Sequence, residues 1–200
     1  MTLRLILVRH GETDWNRILR IQGGKSDTPL NRKGAQQAEE LASRLEQEDI
    51  KAVYSSPLKR ALNTARAIAA QHRLGVIAEP LLREIEAGEL EGVTTAELGM
   101  RFSDYLIRDG TDKKIPGGES LADLQARCWG FIEKVRKQHS NGNVVLVSHY
   151  FVILSVICAV LGLPLEDITR FRMSNASISI VIFDNITRLE LFNDTGGTTQ

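Results

Sequence analysis

The alternation of short apolar runs with segments of helical periodicity constrains the fold of this chain more than any other feature. Residues 3–8 read LRLILV and residues 144–147 read VVLV, as expected of strands that are covered on both faces. Between such runs, apolar residues recur at the three- and four-residue spacing of amphipathic helices. Strands that alternate with helices predict an α/β fold with a largely parallel sheet, because parallel strands need a crossover connection.

Capping and turn residues set the expected limits of these elements. Asn31 is expected to cap the first long helix, and Ser120 with Asp123 resembles a capping box that opens another. A further helix is expected to begin after the second strand, with Ser56 as its N-cap and Pro57 as its first residue. The predicted strands are 3–8, 52–55, 76–78 and 144–147, with an antiparallel hairpin of 177–183 and 188–192; a short helix is expected at 96–106 and a buried one at 151–161.

The 200 residues are predicted to form one domain, 1–200, because no linker, repeat or low-complexity stretch interrupts the pattern. The small, polar tail 195–200 is expected to fray. Lys and Arg together number 25, as do Asp and Glu, so the formal net charge is zero. This balance gives no support for a nucleic-acid partner or for an anionic membrane surface. It is still compatible with a local basic pocket that binds a small anion.

Three further features bear on the compartment. The apolar start of the chain ends in Arg9 and His10 rather than in a small-residue cleavage site, which indicates a first strand and not a signal peptide. The longest apolar stretch, 150–161, is too short to cross a bilayer. Cys128 and Cys158 lie in apolar helical patterns and are expected to be buried free thiols, and no Cys/His cluster suggests a metal site. We therefore predict a cytoplasmic protein; a homodimer remains open.

Polar side chains gather where the predicted strands end. Arg9 and His10 follow the first strand, Arg60 follows the second within a few residues, Glu84 follows the third, and His149 follows the fourth. In open α/β sheets, ligands bind beyond the carboxyl ends of the strands. Two arginines can grip a phosphate, an imidazole can carry a phosphoryl group, and a carboxyl group can protonate the leaving oxygen. The inventory predicts phosphoryl transfer from a monoester.

Six motifs, in order along the chain, make this prediction specific. Together they resemble the signature of the histidine phosphatase superfamily, the phosphoglycerate-mutase-like proteins. They extend over about three-quarters of the chain, so that a chance match of all six is improbable. The motifs are LVRHGET at 7–13 with Asn16, TPL at 28–30 with Gly34, SSPL at 55–58 with Arg60, LREI at 82–85 with Gly88 and with EG at 91–92, PGGES at 116–120 and VSH at 147–149.

The resemblance implies a three-layer α/β/α domain with a mixed, mostly parallel sheet, a small phosphorylated metabolite as substrate, and neither a metal nor another cofactor. It implies that His10 is the phosphorylated nucleophile and that Glu84 is the proton donor, with Glu86 and Glu89 as the nearby alternatives. One departure is plain: Tyr150 stands where many relatives have glycine, which bears on substrate preference. The implied phosphate or substrate ligands are Arg9, Asn16, Gln22, Gly23, Arg60 and His149.

The resemblance leaves three functions open. The first is hydrolysis of phosphomonoesters through phosphohistidine, and the second is a cofactor-dependent phosphoglycerate mutase. The third is a non-catalytic binding or regulatory protein, which predicts the loss of a core residue, and none is missing. Segment 93–115 is predicted to be a short cover over the active site, and its shortness favours water as the acceptor. Its basic residues could meet an anionic substrate; they are Arg101, Arg108, Lys113 and Lys114.

Overall fold

A single mixed sheet of six strands organises the protein. The structure, a computed structural model, describes residues 2–107 and 113–197. The strands run in the order β3-β2-β4-β1-β5-β6, the first four parallel to one another, with β5 antiparallel to β1 and β6 antiparallel to β5. The α/β prediction is thereby confirmed. The strands are β1 Leu3–Arg9, β2 Ile50–Ser55, β3 Val76–Ala78, β4 Gly142–Ser148, β5 Ile178–Phe183 and β6 Arg188–Asp194.

Helices cover both faces of this sheet. Along β1, Ile6 and Val8 pack on one side with α2 and α3, whereas Leu5 and Leu7 pack on the other with α6 and α7. This alternation gives the three layers that the family resemblance implies. The helices are α1 Asp14–Arg17, α2 Arg32–Leu45, α3 Lys59–Gln71, α4 Thr95–Leu98, α5 Phe102–Leu106, α6 Leu121–Gln138 and α7 Tyr150–Leu161, with 3₁₀ turns at Pro80–Leu82, Gly88–Leu90 and Leu165–Arg170.

Two of the three predicted caps are confirmed. Asn31 accepts a hydrogen bond from the backbone of Gly34, and Ser120 forms the capping box with Asp123. The prediction for Ser56 is wrong, because α3 begins at Lys59 and its N-cap is Leu58, which has no side-chain oxygen. A carboxylate from a distant loop replaces that oxygen: Asp27 accepts the Lys59 backbone N–H at 2.7 Å.

The single short helix expected at 96–106 is also wrong. Two helices form instead, because α4 ends at Leu98 and its C-cap is Gly99, whose φ of +72° belongs to the left-handed region that glycine adopts freely. Helix α5 starts three residues after Gly99 and extends to Leu106. Arg108 and the end of the tail lie outside the described residues.

The carboxyl ends of three central strands are level with one another. Val8 of β1 pairs with Val147 of β4, and Val147 pairs in turn with Ser55 of β2. The residues that follow these strands therefore emerge side by side at one edge of the sheet. Within the described chain, every helix is too short or too polar to span a bilayer, and Cys128 and Cys158 are buried free thiols as predicted.

Candidate active site

Two histidines meet at this edge of the sheet. The backbone ladder continues one residue beyond the strands, since His10 N–H donates to the Ser148 carbonyl at 3.1 Å and Ser56 N–H donates to the Val147 carbonyl at 3.0 Å. These bonds fix the two segments on either side of β4. The rings of His10 and His149 consequently lie with their centroids 5.1 Å apart and their planes inclined by 61°.

The hydrogen bond of His10 defines which of its nitrogens is reactive. Nδ1 lies 2.7 Å from the Gly11 carbonyl oxygen. A carbonyl can only accept, so Nδ1 carries the proton and Nε2 holds the lone pair. Burial lowers the pKa of His10 well below 6.5, and the charges of Arg60 and Arg9 lower it further. The imidazole is therefore neutral and nucleophilic at Nε2 near neutral pH.

His149 is fully buried and is held through its other nitrogen. Its Nε2 lies 2.8 Å from the Ser56 hydroxyl oxygen, which also accepts the Leu58 N–H at 3.3 Å. Among the described residues, the Ser56 proton has only His149 Nε2 as a recorded acceptor, so hydrogen-bond satisfaction favours Ser56 as donor. The proton of a neutral His149 then sits on Nδ1, which makes no hydrogen bond with any residue that the structure describes. Burial, followed by the charge of Arg60, lowers the pKa of His149 well below 6.5.

Two arginines supply positive charge to the site. Arg60 is fully buried, and its two terminal nitrogens donate to the Ser26 carbonyl at 2.6 Å and the Gly23 carbonyl at 3.2 Å. Arg9 donates through Nη1 to the Met173 carbonyl. Burial lowers the pKa of each guanidinium to about 10, so both stay cationic near neutral pH. The Nε of each has no recorded partner in the described part of the chain.

Glu84 is the carboxyl group enclosed with these cations. Its oxygens accept the Ile85 N–H at 2.9 Å and the Phe151 N–H at 3.3 Å. Burial raises the pKa of Glu84 above 4.5, against the opposing effects of these bonds and of Arg60. The alternatives differ in position: Glu86 pairs with Lys25 and Arg83, Glu89 is exposed, and neither lines the cavity that Glu84 lines.

A cavity of about 450 Å³ opens over His10, Arg9 and Glu84. Gln22 lines it, and both polar atoms of the Gln22 amide are buried without a hydrogen-bond partner among residues 2–107 and 113–197. Asn16 lines it too, with its Oδ1 accepting from Thr13 and Asn175 while its Nδ2 makes none of these bonds. A larger groove of about 780 Å³ runs along α2, but it is lined by none of the residues predicted to act on the phosphoryl group, namely Arg9, His10, Arg60, Glu84 and His149.

Three predicted ligands are buried and are not among the residues that line this cavity. They are His149, Arg60 and Gly23. Gly23 donates its N–H to Glu91 at 2.9 Å and gives its carbonyl to Arg60. A Cβ at this position would stand 2.4 Å from Glu91 Oε2 and 2.7 Å from the Ala87 Cβ, so only glycine fits. The Gly23 backbone thus connects Glu91 to Arg60 through hydrogen bonds.

The structure adds residues that the sequence did not single out for the site. Asn175 donates to the His10 carbonyl at 3.3 Å and to Asn16 at 3.2 Å. Arg127 donates to the Glu84 carbonyl at 3.0 Å and forms a salt bridge with Glu119. Glu119 belongs to the PGGES motif, which signalled its segment, whereas Asn175 lay in a loop with no local signal.

The aromatic ring of Tyr150 lies beside the Arg9 guanidinium at the wall of the cavity. The Arg9 guanidinium carbon lies over its face, 5.1 Å from the ring centroid. The Tyr150 hydroxyl donates to the Phe171 carbonyl at 3.1 Å, and the residue lines the cavity.

Segment 93–115 contributes residues to one wall of the cavity, including Thr95, Arg101 and Phe102. Arg101 also forms a salt bridge with Asp104 at 2.7 Å. The two lysines lie elsewhere: Lys113 is over the ring of Tyr105, and Lys114 pairs with Asp123. Of the four basic residues expected to meet substrate, Arg101 alone of those described lines the cavity.

The assembled groups have the functions that transfer of a phosphoryl group needs. They comprise a neutral imidazole with a free lone pair, a second imidazole that can donate, two enclosed guanidinium groups and a carboxyl group with a raised pKa. The described residues contain no group of three or more His, Cys, Asp or Glu side chains that could hold a metal ion. Arg9 and Arg60 bring positive charge to the site, and guanidinium groups can bind phosphate oxygens.

Comparison with known proteins agrees with this chemistry. The profile of the histidine phosphatase superfamily, branch 1, matches residues 5–195. Phosphoserine phosphatase 1 of Hydrogenobacter thermophilus is 39% identical over 182 residues, which cover 90% of this chain and 86% of that protein. A protein of Proteus mirabilis described as a probable phosphoglycerate mutase is 39% identical over 186 residues, covering 92% and 86% of the two chains.

A solved structure is similar over nearly the whole chain. The crystal structure of phosphoserine phosphatase from Entamoeba histolytica in complex with 3-phosphoglyceric acid superposes with a TM-score of 0.87 at 33% identity. The match covers 97% of this chain and 98% of that one.

Proposed function

The chain belongs to the histidine phosphatase superfamily, branch 1, and we propose that it hydrolyses phosphomonoesters through a covalent phosphohistidine on His10. Phosphatases among its relatives support the general activity, so the protein is a phosphatase of small phosphorylated metabolites. The observation that carries the covalent step is the bond from His10 Nδ1 to the Gly11 carbonyl, because it leaves the Nε2 lone pair for the phosphorus.

The reaction takes two steps. His10 Nε2 attacks the phosphorus, the bond to the ester oxygen breaks, and protonated Glu84 gives its proton to that oxygen, releasing an alcohol. Water then attacks the phosphohistidine, Glu84 accepts a proton from the water, and inorganic phosphate leaves as the bond to Nε2 breaks. The raised pKa of Glu84 suits a group that is protonated in the first step and ionised in the second.

The remaining predicted residues stabilise the charge of the phosphoryl group. Arg9 and Arg60 would neutralise its oxygens, and His149 Nδ1–H would donate to one of them. Asn16 and Gln22 line the cavity with amide groups that can reach the substrate, which supports their assignment as ligands. Gly23 would act through Arg60, because the Gly23 carbonyl accepts a hydrogen bond from the Arg60 guanidinium.

Substitution of the nucleophile tests the covalent mechanism. His10→Ala should remove essentially all turnover of an aryl phosphate while the circular dichroism spectrum stays unchanged, because it deletes the attacking group. His139→Ala is the matched control, since His139 contacts Tyr54 outside the site and its loss should leave turnover unchanged. Activity of His10→Ala within about tenfold of the parent, roughly 1.4 kcal/mol of barrier, would rule out the mechanism.

Transfer to a second substrate hydroxyl is the alternative, favoured by the relative described as a probable phosphoglycerate mutase. The short helices α4 and α5 offer little material to close the cavity, which supports water as the acceptor. The test supplies 3-phosphoglycerate with 2,3-bisphosphoglycerate and follows inorganic phosphate and 2-phosphoglycerate together. We expect phosphate from any accepted substrate, and formation of 2-phosphoglycerate much faster than phosphate would establish the mutase.

Three broader assignments belong to the same proposal. Residues 1–200 would form one domain with 93–115 as the cover of the active site, supported by the cavity-lining residues of α4 and α5. A cytoplasmic location is supported by the two free buried cysteines. Homodimer formation is tested by analytical ultracentrifugation, and a single species of 22.2 kDa would contradict it.

A further inference from the structure

Tyr150 stands at a junction between the catalytic histidine and the phosphate-binding arginine. It is the first residue of α7, directly after His149. Its ring face lies under the Arg9 guanidinium, 5.1 Å from centroid to guanidinium carbon, within the range of a cation–π contact. The chemistry assigned to the site so far does not use this side chain.

The other contacts of Arg9 leave its orientation incomplete. Its recorded hydrogen bond runs from Nη1 to the Met173 carbonyl, and its Nε has no recorded partner among the described residues. One hydrogen bond fixes a point on the planar guanidinium but allows the plane to turn about that bond. A guanidinium binds phosphate oxygens through N–H groups that lie in its plane, so the direction of the plane determines binding.

The ring that supports this plane is itself held at two sides. The Tyr150 hydroxyl donates to the Phe171 carbonyl at 3.1 Å. The ring also packs edge-to-face against Phe151, with centroids 5.0 Å apart and planes inclined by 75°. Both contacts hold the ring beside Arg9, and the packing against Phe151 does not involve the hydroxyl, so the ring face stays available to the guanidinium without that hydrogen bond.

We propose that Tyr150 is a positioning residue that holds the plane of the Arg9 guanidinium against its ring, with the in-plane N–H groups directed at the phosphoryl group. The proposal rests on the proposed function, in which Arg9 binds that group. It assigns the effect to the aromatic face and not to the hydroxyl, and it places the effect in phosphate binding rather than in folding.

Two substitutions separate the face from the hydroxyl. Tyr150→Leu removes the π face but leaves an apolar side chain, and the dissociation constant of inorganic phosphate should rise about tenfold, in the range of a desolvated cation–π contact. Tyr150→Phe keeps the face, and the constant should stay within about twofold of the parent. Calorimetric titration with inorganic phosphate measures both without turnover, and thermal melts verify that each variant is folded.

A double-mutant cycle with Arg9→Met tests whether Tyr150 acts through Arg9. In the Arg9→Met protein, adding Tyr150→Leu should weaken phosphate binding by less than about twofold, because the group being positioned is gone. Tyr105→Leu is the matched control: its ring also lies beside a cation, Lys113, at 5.5 Å, but it does not line the cavity, so phosphate binding should be unchanged.

The outcomes distinguish this proposal from the function on which it rests. Equal losses from Tyr150→Leu in the parent and in Arg9→Met, or a Tyr150→Phe protein as weak as Tyr150→Leu, would overturn the positioning role while leaving the phosphatase intact. Full turnover by His10→Ala would instead overturn the covalent mechanism, whatever the phosphate titrations show.

Discussion

Removal of the Ser56 hydroxyl should slow catalysis by altering His149, a residue that Ser56 only supports. The substitution is Ser56→Ala, which deletes the oxygen 2.8 Å from His149 Nε2. With Ser56 as donor, Nε2 accepts and Nδ1 carries the proton. Without it, the ring has no recorded bond in the described structure that favours either neutral tautomer.

The size of the effect follows from the hydrogen bond that is lost. A buried hydrogen bond contributes about 0.5–1.5 kcal/mol, so the preference for the Nδ1–H tautomer should weaken by up to about tenfold. Complete loss of a donor to the transition state would reduce kcat by about 10²–10³. We expect a fall in kcat/KM of about tenfold, because a bound phosphoryl group itself favours the Nδ1 proton. The unpaired Nε2 should also lower the free energy of unfolding by about 1–3 kcal/mol.

Ser55→Ala provides the matched control. Ser55 is equally buried, and its hydroxyl donates to the Ser56 carbonyl at 2.8 Å without contacting a histidine. Urea denaturation should show a loss of stability in both variants, whereas kcat/KM on an aryl phosphate should fall only in Ser56→Ala. Nitrogen-15 shifts of the His149 ring should report the change of tautomer directly. Equal kcat/KM in the two variants would refute the tautomer argument and leave Ser56 a packing role.

Three further results are expected. Glu84→Gln should lower kcat on an alkyl phosphate by about 10²–10⁴ but on a nitrophenyl phosphate by about tenfold or less, since nitrophenolate leaves unprotonated; equal losses would give Glu84 a structural role. The pKa of Glu84 is raised and that of His10 is lowered, so the reactive form of the protein has protonated Glu84 and neutral His10. The value of kcat/KM on the alkyl phosphate should therefore fall as the pH rises through the pKa of Glu84. A steady increase of kcat/KM with pH would contradict this assignment. Activity should survive exhaustive dialysis against EDTA, because arginines neutralise the phosphate; loss that a divalent ion restores would refute this account of the pocket.

The strands were predictable because their signal is local. Residues 144–147 are a continuous apolar run and residues 3–8 are apolar except for Arg4, and both runs lie within strands at the centre of the sheet, β4 and β1. The convergence of His10 and His149 then follows from parallel pairing, which brings the strand ends level. The first residue of a helix was harder to predict where a tertiary contact competes with a local N-cap. Ser56 looks like an N-cap in the sequence, but its hydroxyl contacts His149, 93 positions away.

Other parts of the site depend on contacts that no local pattern records. Asn175 reaches Asn16 across 159 positions, and only the folded sheet brings the two together. The sequence showed that Tyr150 stands where many relatives have glycine, but it did not show where the ring lies. The hydrogen bond of Tyr150 to Phe171 and its contact with Arg9 join residues far apart in the chain, so the position of the ring required the structure.

The enclosed arginines make the stability of the folded protein depend on bound anions. Arg60 is fully buried, Arg9 lines the cavity, and among the described residues Glu84 is the buried carboxyl group whose charge acts on both guanidinium groups. A bound anion replaces hydration that burial has removed from these cations, and an anion that binds only the folded state adds to its stability as its concentration rises. At a hundred times the dissociation constant, this linkage amounts to about 2.7 kcal/mol. Resistance to unfolding and proteolysis would then follow the supply of phosphorylated substrate and of phosphate itself.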